Sequence, residues 1–92
     1  MEDHQLTKSL QSIGKSCFVK NFELFSNAAI SDLDAMQFLM DDQGYEQTGA
    51  RTRVREGRRI IEAGRAKDAF KLIADAKLED TALADKAYRL SL

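Results

Sequence analysis

GYEQTGARTRVREGRRIIEAG, residues 44–64, is the stretch on which the reading of this chain turns. Gly44 and Gly64 bracket a segment that opens on Thr48, carries five arginines between Arg51 and Arg59, and closes on Ile60 and Ile61. At about 100° per residue, Ala50, Val54, Gly57 and Ile61 fall on one narrow face. Arg51, Arg55, Arg58 and Arg59 spread over the opposite side, with Arg53 on the far flank beside Ile60. The spacing predicts a helix from Thr48 to Ala63, with one side in a core and the other offered to something negative.

Upstream, Ser31 supplies an N-cap hydroxyl, and Asp32 and Asp34 place carboxylates where the helix dipole favours them. A helix follows to Gln43, with Leu33, Met36, Leu39 and Met40 on its apolar side and Phe38 nearby. Asp41 and Asp42 close it, and Gly44 supplies a left-handed stop. Further back, His4 to Phe25 reads as one amphipathic helix. Leu6, Leu10, Ile13, Cys17 and Leu24 share its stripe, Phe18, Phe22 and Phe25 widen it, and Lys8 and Lys15 lie on the wet side. Gly14 is either a point of close helix approach or a tolerated glycine.

Downstream of Gly64, a helix from Arg65 to Ala76 turns Ala66, Ala69, Phe70 and Ile73 inward. A last one starts at the capping residue Asp80 and runs through Leu83, Ala84, Ala87 and Tyr88 towards Leu90. Proline, the residue that helices tolerate least, is absent from all 92 positions. No segment alternates apolar and polar residues as a half-buried strand does. The expected fold is all-α: one domain over residues 1–92, a compact bundle of about five helices joined by short turns.

Charge is unevenly divided. Residues 1–50 hold three basic and eight acidic side chains, and residues 51–92 hold eleven basic and seven acidic ones. The two halves therefore carry −5 and +4, a directional field inside a chain of net charge −1. One cysteine, Cys17, cannot form an internal disulfide, which fits a reducing compartment. MEDHQLTK lacks the basic start and apolar run of a signal peptide, and no apolar stretch approaches bilayer length. A cytoplasmic protein without a membrane partner is expected.

Helix, glycine turn and arginine-bearing helix follow one another over residues 31–62 in the order of a helix-turn-helix unit. In GYEQTGARTRVREGRRII the turn and helix resemble helix-turn-helix modules of phage small-terminase and sigma-factor type, over about a third of the chain. Met40 stands where such modules favour a small residue, and Arg53 where they favour an apolar one. The resemblance implies a DNA-binding regulator or accessory factor whose second helix meets the duplex. Thr48 and the opening amides would then meet a phosphate. Arg51, Arg55 and Arg58 would point at DNA, with Arg59 and Arg65 extending the footprint and Lys67 joining them. Such small modules gain affinity by dimerising, so a homodimer is a further expectation.

Another class of reading uses the same residues. Glu56, Glu62, Asp41 and Asp42 accompany the arginines, which would then form a salt-bridged solvated face or hold the acidic half in place. The chain would in that case be a helical adaptor or inhibitor with a protein partner, using its basic face or an acidic face that mimics nucleic acid. Nothing points to an enzyme. His4 stands alone and terminal, Cys17 lies on an apolar stripe, and Asp41, Asp42 and Glu46 lack the spacing of a calcium loop. Tyr45 reads as a turn residue packed on the core edge. No metal, cofactor or small-molecule substrate is expected.

Overall fold

The structure, a computed structural model, describes residues 1–92. In chain order its helices are α1 (Asp3–Ile13), α2 (Lys15–Lys20), α3 (Phe22–Ser26), α4 (Asp32–Gln43), α5 (Gln47–Glu62), α6 (Ala66–Ala76) and α7 (Thr81–Ser91). There is no strand, so the all-α expectation holds. The count is seven rather than about five, because the segment read as one helix from His4 to Phe25 is broken twice.

The first break is at Gly14, whose φ of 88° and ψ of 134° lie outside the range an L side chain adopts comfortably. Its amide still bonds to the Leu10 carbonyl, and its own carbonyl accepts from Phe18. A Cβ there would meet nothing within 4 Å, so Gly14 serves to redirect the chain and not to admit a neighbour. The second break is at Asn21, which is buried. Its side-chain amide donates to the Cys17 carbonyl (3.1 Å) and exchanges hydrogen bonds with Gln43 at the end of α4 (3.0 and 2.6 Å). The two turns fold the first quarter of the chain around the core instead of along it.

The later helices follow their caps. Ser31 accepts from the Asp34 amide and Asp80 from the Leu83 amide, both at 3.1 Å, and Gly44 is left-handed with φ 75°. Between them α5 runs through the middle, covered by α1, α3, α4 and α6, while α6 and α7 form a packed pair that meets α2. Gly57 on α5 permits a close approach: a Cβ there would stand 2.7 Å from the Phe25 ring of α3.

Phe18 is the centre of the core and has no exposed surface. Its ring lies 6.0 Å from Phe22, 6.3 Å from Phe25 and 5.2 Å from Phe70, which Phe22 also meets edge-on at 4.9 Å. The inner face of α5 is broader than expected, since Ile60 is fully buried and Ile61 only partly. Helices on several sides of α5 account for that width. Leu33, Phe38 and Tyr88, expected on or near inner faces, are 74%, 45% and 60% exposed. For α4 the reason is plain: α5 is its main packing partner, and Ala35, Met36 and Leu39 occupy that side.

Candidate nucleic-acid interface

The arginines of α5 differ in what the fold leaves them to do. Arg51, Arg55 and Arg59 recur every four residues, so they climb the helix in steps of about 6 Å, each turned by roughly 40°. All three are exposed. The Arg55 and Arg59 side chains keep 65% and 55% of their surface. Thr48 is exposed in the first turn of the same helix, just after the N-cap Glu46. That helix starts at Gln47, one residue earlier than the sequence suggested. No side chain caps the first-turn amides, and Glu46, Gln47 and Thr48 around them are exposed.

Glu56 interrupts the cationic strip. Its carboxylate lies 3.8 Å from Arg59 and 4.0 Å from Arg55 and accepts a 3.4 Å hydrogen bond from the buried Ser9 hydroxyl of α1. With only 16% of the side chain exposed, it sits low between the two guanidinium groups.

Arg58 faces a different neighbour. Its side chain is 15% exposed and reaches the end of α3 and the loop beyond it. Nε donates to the Phe25 carbonyl (3.1 Å), and Nη2 donates to those of Leu24, Asn27 and Ile30 (3.4, 3.2 and 2.7 Å). Nη1 pairs with Asp32 at the start of α4. A helix end leaves several carbonyls without partners, and one planar guanidinium satisfies this group together. Arg58 therefore fastens residues 24–32 to α5, with its Nε and Nη2 donors all engaged and Nη1 turned to Asp32.

Arg65 plays the same part at the other end. It donates to the Met1 carbonyl, to Asp3 (2.6 Å) and to Asp68 (2.8 Å). The hydrogen bonds it donates to these two carboxylates, Asp3 first, raise its already high pKa further. Arg53 lies over the Tyr45 ring at 4.2 Å and donates to the Gly49 carbonyl, leaving its buried Nε without a partner. Tyr45 packs at the core edge, where burial and then the Cys17 thiol push its phenol above the usual 10.0 against the pull of Arg53.

The six side chains that the sequence singled out thus separate into two sets. Thr48, Arg51, Arg55 and Arg59 share the outer strip of α5, while Arg58 and Arg65 hold the acidic N-terminal half in place. Lys67 is exposed on α6. The structure also brings in Lys8, which sequence reasoning left as an ordinary wet-side lysine; it lines a groove with Arg59 and Glu56. No local signal marks Lys8, because its place depends on how α1 packs against α5. No group of three or more His, Cys, Asp or Glu side chains is placed to hold a metal ion. No helix is long and apolar enough to cross a membrane. No known protein family, curated protein or solved structure matches the chain.

Proposed function

We propose that the protein binds duplex DNA, as a regulator or accessory factor, with α4, its glycine turn and α5 acting as a helix-turn-helix-like unit. The observation that carries this reading is the outer strip of α5, where Arg51, Arg55 and Arg59 stand open in one row. A row of arginines suits phosphate oxygens, which the planar fork can grip in pairs. Arg58 and Arg65 serve the interface indirectly by fixing α5 against its neighbours. A rigid strip loses less freedom on binding than a mobile one.

The test is a fluorescence-anisotropy titration on random duplex DNA at several salt concentrations. Arg55→Ala is expected to weaken binding on every sequence and to flatten the slope of log affinity against log salt by about 0.9, the share of one phosphate. Arg89→Ala, at an exposed position on α7, is the control and is expected to leave the slope unchanged. Equal losses in both variants would defeat the assignment to α5.

A second reading is favoured by one observation, the open side of α4. Leu33 and Phe38 are exposed there among Asp34, Asp41 and Asp42, a surface suited to a protein partner. The chain would then be a helical adaptor or inhibitor. That reading takes precedence if the parent leaves duplex DNA unbound at low salt.

A further inference from the structure

Between α1 and α5 lies a groove lined without any apolar side chain: Gln5, Lys8, Ser9, Ser12, Glu56 and Arg59. Its walls divide by role. Ser12 donates back to the Lys8 carbonyl, and Ser9 donates to Glu56, so neither hydroxyl proton is free. Gln5 accepts from the Glu2 amide through its carbonyl oxygen, which leaves its NH₂ group as a donor. Lys8 is exposed and belongs to none of the ion pairs of the protein. Arg59 is held only by a long contact with Glu56. Three donors, two of them cationic, therefore border a groove whose single acid is Glu56.

We infer that this groove is a phosphate subsite, in which Lys8 and Arg59 take a backbone phosphate of the duplex and Glu56 limits the affinity. The inference rests on the DNA-binding reading and extends its footprint from α5 onto α1. Of the row of three only Arg59 lines the groove, so a strand following Arg51 and Arg55 to Arg59 meets Lys8 on the same groove. An entering phosphate competes with Glu56 for Arg59 and is repelled by the carboxylate at the same time. Ser9 donates to that carboxylate, whose side chain is only 16% exposed, so it stays low in the groove.

Two substitutions separate these parts. Lys8→Ala removes one cation at an exposed position, so the fold has little to lose. Glu56→Gln keeps an acceptor for Ser9 and removes only the charge. Both are titrated against the parent on a 20-base-pair random duplex at four salt concentrations, with circular dichroism confirming helix content. Lys8→Ala is expected to weaken binding several-fold and flatten the salt slope by about 0.9. Glu56→Gln is expected to tighten binding roughly fivefold, the effect of removing one charge about 4 Å from a phosphate in near-bulk dielectric. A parent that binds, with Lys8→Ala keeping the parent slope or Glu56→Gln binding no tighter, overturns the subsite and leaves the α5 strip standing. A parent that binds no DNA at low salt overturns both.

Discussion

Arg58→Ala is expected to destabilise the protein by about 3 kcal/mol, although the residue sits among arginines that a sequence reading assigns to DNA. Four carbonyls, of Leu24, Phe25, Asn27 and Ile30, and the Asp32 carboxylate lose their common donor. Leaving the partly buried carbonyls of Leu24, Phe25 and Ile30 without a donor costs on this order, while the 71% exposed Asp32 adds little. The loss is a large part of the 5–15 kcal/mol that a small domain typically possesses. Arg58→Lys should recover little, since a compact ammonium cannot span acceptors spread over residues 24–32. Arg55→Ala, one turn earlier on the open strip, should stay within about 0.5 kcal/mol of the parent. Urea unfolding followed by circular dichroism gives all three values. A parent-like midpoint for Arg58→Ala would show that water satisfies those carbonyls as well as the guanidinium does.

Phe18→Ala is expected to cost about 3–5 kcal/mol, the largest effect of any single core truncation here. The ring is fully buried and touches three other phenylalanines, from α3 and α6. Its removal opens a cavity among α2, α3 and α6 that the packed helices cannot easily close. Phe22, half-buried at the edge of the same cluster, should cost less when truncated. A smaller loss for Phe18→Ala than for Phe22→Ala, in the same urea series, would place the centre of the core elsewhere.

How much of this was legible in the sequence depended on whether the deciding contact was local. Ser31, Gly44 and Asp80 act within three or four residues of themselves, and the bounds of α4 to α7 followed from such signals to within about one residue. The break at Gly14 was not visible, because Leu6, Leu10, Ile13 and Cys17 keep helical spacing straight across it. Nothing local marks Asn21 as a break, because its partner Gln43 lies 22 residues away. The split among the arginines is of the same kind. Arg55 and Arg58 lie about 60° apart on one helix, and periodicity alone treats them alike. What separates them is the end of α3, which closes over Arg58 and leaves Arg55 in the open. Arg65 reaches Asp3 across 62 positions, a contact no pattern in the chain announces.

The central claim is that Arg51, Arg55 and Arg59 form one phosphate-binding strip while the remaining arginines of α5 serve the fold. Its most direct test is the salt dependence of DNA binding for the parent and for the triple variant Arg51→Ala, Arg55→Ala, Arg59→Ala. Three phosphates at about 0.9 each predict a parent slope of at least roughly −2.7 in log affinity against log salt. The triple variant should lose that slope while keeping the helical signal and an unfolding midpoint close to the parent's. A triple variant that binds with the parent's slope, or a parent whose slope is near zero, would contradict the claim.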